Sequence, residues 1–188
     1  MGTGGYPWAR YGLVVELTAR MQDASRQFGK TAMQKMIYLL QAVYGVNLGY
    51  DFSFYTYGPY SFDLSRDLKI IEYHGGVEIN FINSGTWGYS IKPGDKSPRF
   101  RGKAANTIHQ NSSKLDSVIK EFGKYSAKEL ELRSTIIYVY RDAKENGQQQ
   151  SRDDFIGVVY NLKPNFGLGH IDNVITCLEK KGFITMCP

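Results

Sequence analysis

The side chains most often used in catalysis and metal binding are sparse and scattered. The three histidines, His74, His109 and His170, are not spaced from one another as zinc ligands are. The two cysteines, Cys177 and Cys187, lie ten residues apart with no second pair to complete a metal cage. No serine–histidine–aspartate order, paired-carboxylate motif, Walker lysine or dinucleotide-binding glycine pattern is present. The sequence therefore predicts no enzyme, no metal and no cofactor.

Positive charge is concentrated in the second half of the chain. Residues 1–95 hold eight Lys/Arg and eight Asp/Glu, whereas residues 96–188 hold fifteen and ten. A predicted loop over 92–103 carries five of the cations: Lys92, Lys96, Arg99, Arg101 and Lys103. Such a loop could neutralise several phosphates, and that binding would weaken strongly with salt. A solvated basic loop that keeps the protein in solution explains the same residues.

Tyrosines cluster in the middle of the first half. Tyrosine offers a large amphipathic contact at low entropic cost, so Tyr55 and Tyr60 are candidates for a protein-binding surface. The alternative is that they fill the seam between a helix and a strand, which is where we expect Tyr57. On the following helix, Asp63 and Arg66 are candidates for partner specificity, and a solvated face with weak intrahelical pairs is the alternative.

The first half is predicted to contain three helices, a strand and a hairpin. The predicted ranges are helices over 8–21, 30–44 and 61–74, a strand over 52–57, and hairpin strands over 77–82 and 86–91. In the second helix, a stripe of methionine, isoleucine and leucine predicts the buried face, with Gln34 and Lys35 on the other side. In the third, Ser61 is the predicted N-cap and Asp67 is expected to be mainly outside. Helix, helix, strand, helix, hairpin is the order of a winged-helix domain.

The second half is predicted to be helical throughout. A connecting helix covers 104–122, and Ser126 and Ser151 are predicted N-caps of two further helices. The first of these is apolar on every side over 136–140, which indicates a central, buried position. The last helix is predicted to end in a Schellman cap with Phe183 over Leu178. Because no flexible linker is evident, we expect both halves to share a core.

Length and composition are those of a globular protein. The chain has 188 residues, 42% hydrophobic and 22% charged, near globular averages. Its longest apolar runs are five residues, far below the roughly 20 needed to span a bilayer. The apolar run of the N-terminal segment MGTGGYPWARYGLVVEL is short, so a secretory signal is not indicated and the expected location is cytoplasmic.

Four segments together resemble a known family. They are GKTAMQKMIYLLQ at 29–41, FSFYTYGPYSFDLSRDL at 52–68, ELRSTIIYVY at 131–140, and DDFIGVVYNLKPNFGLGHIDNVITCLEKKGFI at 153–184. The chain resembles the Panacea antitoxin and YwgA-like families of small bacterial, archaeal and phage proteins. The resemblance implies a mainly helical fold with a winged-helix-like core and a role as antitoxin, protein-binding adaptor or regulator, with no catalytic residues to transfer. The helical set after the hairpin favours the YwgA-like branch.

The predicted fold is therefore α+β and mainly α-helical, a single domain over 1–188. Its predicted sub-lobes are a winged-helix-like core with a β-hairpin over 8–95 and a packed helical set over 104–188. The predicted function is non-enzymatic protein binding in antitoxin-like or mobile-element regulation, with a homodimer as the base-rate oligomer. The alternative is a DNA-binding winged-helix transcriptional regulator. The helix over 61–74 suits it poorly, because Arg66 and Lys69 face three acidic residues there.

Overall fold

The structure is a computed structural model and describes residues 6–25, 28–83, 87–148 and 150–186. Within these ranges the chain forms eight helices and two antiparallel hairpins. In order these are α1 (Trp8–Ala24), α2 (Lys30–Ala42), β1 (Ser53–Tyr55), β2 (Gly58–Tyr60), α3 (Phe62–Tyr73), β3 (Val77–Asn83), β4 (Trp87–Pro93), α4 (Ser97–Lys103), α5 (Ala105–Phe122), α6 (Ala127–Glu145), α7 (Arg152–Leu162) and α8 (Leu168–Lys180). The predicted α+β, mainly helical class is confirmed.

Helix α2 is the centre of the molecule. Its predicted stripe is confirmed, since Met33, Met36, Ile37 and Leu40 are fully buried. The predicted outer face of this helix is wrong, because Gln34 and Lys35 are buried as well. Packing of α2 against α5, α6 and β2 covers the helix on more than one side. A single amphipathic stripe does not describe a helix enclosed in this way.

The segment after α2 forms a small hairpin instead of one strand followed by a turn. Strand β1 pairs with β2 so that Ser53 lies opposite Tyr60 and Tyr55 opposite Gly58. The turn therefore falls at residues 56–57, and Gly58 and Pro59 lie in β2. The second hairpin, β3 with β4, agrees with the predicted strands. Residues 84 and 85 of its predicted turn, and residue 86, predicted to begin the second strand, lie outside the described residues.

Helix α3 has its predicted cap and stripe, with one correction. The Ser61 hydroxyl accepts a hydrogen bond from the Leu64 N–H, and Leu64 and Ile71 are fully buried. Asp67, predicted to face solvent, is buried instead. It accepts hydrogen bonds from the hydroxyls of Tyr11 at 3.2 Å and Tyr50 at 3.1 Å. Arg10 completes the group with an ion pair at 2.7 Å, which explains how a carboxylate can remain inside.

Residues 92–103 are not wholly a loop. They include the short helix α4, from Ser97 to Lys103. Pro98 suits the first turn of this helix, because a backbone N–H at that position would have no partner within the helix. Phe100 of α4 is buried against Trp8, with ring centroids 5.4 Å apart. The apolar side of α4 thus joins the core. The many cations of this segment led to its prediction as a loop.

The helices of the second half begin and end largely as predicted. Ser126 and Ser151 accept hydrogen bonds from the N–H groups of Glu129 and Asp154, each three residues on. At the end of α8 the Phe183 N–H donates to the Leu178 carbonyl at 3.0 Å, as in the predicted cap. Buried residues of all eight helices, including Phe100 of α4, join Val77 and Ile91 of the second hairpin in one hydrophobic cluster. No helix in the described part of the chain is long and apolar enough to cross a membrane.

Candidate functional site

Aromatic side chains project from the first hairpin and the start of α3. Tyr55 is 54% exposed and Phe62 is 64% exposed, while Tyr60 is half-buried between them. The ring centroids of Tyr60 and Phe62 are 5.0 Å apart, and Tyr55 lies 5.8 Å from Tyr60 and 5.9 Å from Phe62. These separations suit edge-to-face aromatic contacts, so the three rings support one another in a fixed array.

This array forms one wall of a cleft of about 330 Å³, which we term the aromatic cleft. The other walls come from α2, from the outer face of α3 and from Ile79 of β3. Tyr57, expected in the seam, is instead 63% exposed and lines the cleft mouth. The cleft therefore combines apolar rings with phenol hydroxyls, a surface suited to burying an apolar side chain of a ligand.

The charged residues that line the aromatic cleft are all cations. They are Lys30, Lys35 and Lys69, and no aspartate or glutamate lines it among the described residues. The Lys30 ammonium lies 3.7 Å from the centroid of the Tyr89 ring, a cation–π contact that holds it beside the cleft. The cleft thus favours a ligand that is both apolar and negatively charged.

Two side chains of α2 fix the hairpin in place. Gln34 forms a closed pair of hydrogen bonds with Ser61, accepting from its N–H at 2.9 Å and donating to its carbonyl at 3.0 Å. Lys35, which is only 1% exposed, donates from Nζ to the Pro59 carbonyl at 2.7 Å. These contacts pair backbone groups that the two-stranded hairpin could not pair itself, so the aromatic array stands on a rigid base.

A second buried lysine holds the turn of the same hairpin. Lys163, next to the helix-ending Pro164, donates from Nζ to the Thr56 carbonyl at 2.8 Å and to Glu131 Oε1 at 2.6 Å. Glu131 lies on α6, and its side chain is largely buried. The three side chains, Lys35, Lys163 and Glu131, form what we term the buried ionic cluster. It connects α2, α6 and the end of α7 beneath the hairpin.

Burial decides the protonation behaviour of Lys35. Desolvation lowers its pKa to about 8, while the Glu131 carboxylate opposes the change and the Lys163 ammonium adds to it. Lys35 therefore carries its charge at neutral pH and begins to lose it slightly above. One carboxylate faces two ammonium groups here, which leaves the floor of the aromatic cleft positive.

The predicted protein-binding residues are only partly brought together. Tyr55 and Tyr60 share the aromatic cleft, as described above. Asp63 and Arg66 do not line it and instead pair with each other at 2.8 Å on exposed side chains of α3. An exposed i,i+3 pair of this kind contributes little to stability.

The predicted nucleic-acid-binding residues lie at the end of β4 and on α4. Arg101 is paired through Nε with the buried carboxylate of Glu16 on α1, which offsets its charge, although its side chain remains 47% exposed. Lys92, Lys96, Arg99 and Lys103 are exposed, and none forms a salt bridge within the described ranges. Four free cations therefore remain on this surface.

The histidines have separate surroundings. His74 pairs with the Tyr6 hydroxyl at 2.9 Å, and His170 pairs with Glu129 at 3.1 Å and stacks on Phe166. No group of three metal-binding side chains occurs within the described residues. Cys177 is a free thiol, and Cys187 lies outside the described residues.

Sequence reasoning missed the residues that support the site, namely Gln34, Lys35, Glu131 and Lys163. One signal was present: Gln34 and Lys35 stand between Met33 and Met36 in a helix that is otherwise apolar over 32–40. Polar residues inside such a run point to buried hydrogen bonds. Their hydrogen-bond partners lie 24 to 107 residues away, so the pairing itself could not be read from spacing.

No protein-family model matches the chain, and no curated protein is significantly similar to it.

Proposed function

We propose that this protein is a non-enzymatic, protein-binding regulatory domain that acts through the aromatic cleft. Its partner is a polypeptide segment with an apolar or aromatic anchor flanked by acidic side chains. The resemblance to the Panacea antitoxin and YwgA-like families suggests the setting, antitoxin-like or mobile-element-associated regulation. The observation that carries the proposal is the combination of exposed, mutually braced rings with cleft charges that are exclusively lysine.

Energetics support this use of the surface. Exposed aromatic rings gain little while they face water, and contiguous apolar patches on monomeric proteins commonly mark interaction sites. Burial of rings such as Tyr55 and Phe62 in an interface would remove their apolar surface from water, which is favourable. Aromatic anchors of this type are enriched among binding hot spots. Because the hairpin is fixed by Gln34, Lys35 and Lys163, little ordering entropy would be lost on binding.

A peptide-display selection followed by a binding assay tests the proposal. We expect selected peptides to carry an apolar anchor next to aspartate or glutamate. Phe62→Ser should weaken the binding of a labelled selected peptide by about tenfold or more, as hot-spot truncations do. Tyr73→Ser is the matched control, because Tyr73 is more exposed than Phe62, lies on the same helix and does not line the cleft.

Other outcomes would count against the proposal. Selection of basic peptides, or peptide binding that Phe62→Ser leaves unchanged, would overturn it. If the peptide assay supports the proposal, capture of partners from a native lysate, with and without nuclease, then identifies the physiological target. A target recovered by wild type but not by Phe62→Ser would carry a segment of the selected type.

The second candidate is a DNA-binding transcriptional regulator, favoured by the free cations Lys92, Lys96, Arg99 and Lys103. Its test is the affinity of Lys96→Glu/Arg99→Glu for a labelled random-sequence duplex at two salt concentrations. DNA binding predicts a steep salt dependence in wild type, with a slope that falls by about 0.9 per lost phosphate contact. Arg101 is unsuitable for this test, because glutamate there would face the buried Glu16.

A further inference from the structure

A second cleft, of about 460 Å³, lies between α2, the segment 50–52 and α6, and shares no residue with the aromatic cleft. Its inner wall is aromatic. Tyr38 of α2 contacts Phe52 at 5.3 Å and Tyr138 of α6 at 6.0 Å between ring centroids. Aromatic faces of this kind attract cations, above all those whose alkyl parts also gain from apolar contact.

The rim of this cleft, which we term the acidic cleft, carries more negative than positive charge. Asp51, Asp142 and Glu145 line it, opposed by Arg141. The side chains of Asp51 and Asp142 are exposed and form no ion pair or hydrogen bond with any described residue.

Arg141 does not neutralise these two carboxylates. Its guanidinium donates to the Ala42 carbonyl of α2 at 2.7 Å and stands 3.8 Å from Glu145 of α6, and it forms no ion pair with Asp51 or Asp142. Asp51 and Asp142 therefore retain an uncompensated negative charge at the mouth.

The hydroxyl of a largely buried tyrosine completes the cleft. Tyr38 is 6% exposed and lines the cleft, and its hydroxyl forms no hydrogen bond with any other described residue. The hydroxyl oxygen itself is not among the fully buried, unpaired polar atoms, so it reaches the cleft and can accept a hydrogen bond from a ligand donor there. Burial raises the pKa of Tyr38, with a smaller opposing effect of Arg141, so the phenol stays neutral and has lone pairs free to accept a hydrogen bond.

We propose that the acidic cleft binds an alkylammonium or alkylguanidinium cation, whose charged head meets Asp51, Asp142 and the Tyr38 hydroxyl and whose alkyl part lies on the rings of Phe52 and Tyr138. The source is either a small polyamine-type molecule or a lysine or arginine side chain of another polypeptide. A bare metal ion fits less well, because the described residues bring no three metal-binding side chains together here. This inference stands independently of the aromatic cleft.

Calorimetric titration with two matched probes tests the proposal. Butylguanidinium carries the charge and alkyl part required, and butylurea has the same shape without the charge. We expect butylguanidinium to bind with a dissociation constant on the order of 1 mM, as befits so small a ligand, and butylurea to bind at least tenfold more weakly. Equal binding of both probes, or no binding of butylguanidinium, would overturn the proposal.

Three variants locate the binding. Asp51→Asn/Asp142→Asn should weaken butylguanidinium binding by about tenfold, and Tyr38→Phe, which keeps the ring, by about threefold. Asp23→Asn is the control, because Asp23 is also exposed and without an ion pair but lies on α1. Thermal unfolding verifies that each variant is folded. Binding by the folded double variant equal to that of Asp23→Asn would overturn the assignment.

The same assay separates the two sources of the cation. Spermidine represents the free polyamine, and the blocked tripeptide acetyl-Gly-Arg-Gly-amide represents a protein side chain. Tighter binding of spermidine assigns the cleft to a small molecule, and tighter binding of the tripeptide assigns it to a partner chain. Either result supports the cation site, and failure of both to compete with butylguanidinium would overturn it.

Discussion

At the scale of single residues, the buried ionic cluster is the most consequential feature. Two ammonium groups, Lys35 and Lys163, enter the interior and each donates to a carbonyl of the first hairpin. Glu131 is the carboxylate that binds Lys163 and favours the charged form of Lys35. Burial of charge is tolerated only when it is paired in this way.

Replacement of Glu131 by glutamine is expected to destabilise the protein strongly. The free energy of unfolding should fall by about 3 kcal/mol, because two buried ammonium groups lose their opposing carboxylate. Urea unfolding followed by circular dichroism measures this. Glu145→Gln is the control, since that exposed glutamate pairs with Arg141 at 3.8 Å and its loss should cost less than about 0.5 kcal/mol. A loss below about 1 kcal/mol in Glu131→Gln would contradict the role of the cluster.

Lys35 should also make stability depend on pH. Its pKa is lowered from 10.5 to about 8 on folding, so between these values the unfolded chain holds a proton that the folded chain has released. Raising the pH through this window therefore stabilises the folded state, by at most about 1.4 kcal/mol per pH unit. Below about pH 8 both states are protonated and the contribution no longer changes.

Comparison of wild type with Lys35→Met isolates this contribution from other titrating groups. The free energy of unfolding, measured in urea at pH 8 and pH 10, should rise in wild type relative to Lys35→Met. Parallel pH dependences of the two proteins would show that Lys35 titrates alike in the folded and unfolded states, contrary to expectation.

At the scale of elements, the first hairpin depends on one glycine. Gly58 has a φ of +84°, which side-chain-bearing residues rarely adopt, and a Cβ there would lie 2.7 Å from Thr135 Oγ1 on α6. The hairpin can therefore lie flat against α6 only with glycine at this position. Strands of three residues have little stability of their own, so this contact is part of what maintains them.

Gly58→Ala is expected to lower the free energy of unfolding by about 2–3 kcal/mol, through backbone strain and the close contact combined. It should also weaken peptide binding at the aromatic cleft, because the hairpin carries Tyr55 and Tyr60. Gly147→Ala separates the two causes, since Gly147 has a φ of +67° but open space around its Cβ position, and should cost only about 1 kcal/mol. Equal losses in the two variants would contradict a role for the contact with α6.

At the scale of the whole molecule, the two halves of the chain contribute to one hydrophobic cluster. Helix α2 packs against α5 and α6, and α1 packs against α4 and α5. Glu16 of α1 links the halves further through Arg20, which reaches Asp116 of α5 at 2.6 Å. Because neither half covers its own apolar surface, we expect them to unfold together.

Tryptophan fluorescence and circular dichroism should therefore report the same urea midpoint. Trp8 and Trp87 both lie in the first half, whereas helices of both halves contribute to the dichroism. Ile136→Ala, fully buried in α6, should lower the midpoint seen by tryptophan, with a loss of about 2–4 kcal/mol. Lys144→Ala, exposed on the same helix, should leave it unchanged. Two separate midpoints would contradict a shared core.

The sequence by itself determined the features that depend on neighbours along the chain. The α2 stripe of Met33, Met36 and Leu40 and the caps at Ser61, Ser126 and Ser151 follow from helical periodicity and from hydrogen bonds over three residues. The tyrosines of the first hairpin were also identified as candidates, since their side-chain chemistry suits an interface.

Only the tertiary structure decided which side chains outside the main apolar stripe of a helix are also buried by the rest of the chain. Lys35 lies inside because the Pro59 carbonyl accepts its hydrogen bond and the Glu131 carboxylate favours its charged form. Asp67 lies inside because Tyr11 donates a hydrogen bond to it and Arg10 forms an ion pair with it. Tyr57 lies outside, in the turn between β1 and β2. Arg101 has its charge offset by Glu16, a partner 85 residues away. Burial of a polar side chain depends on such distant partners, and local periodicity carries no information about them.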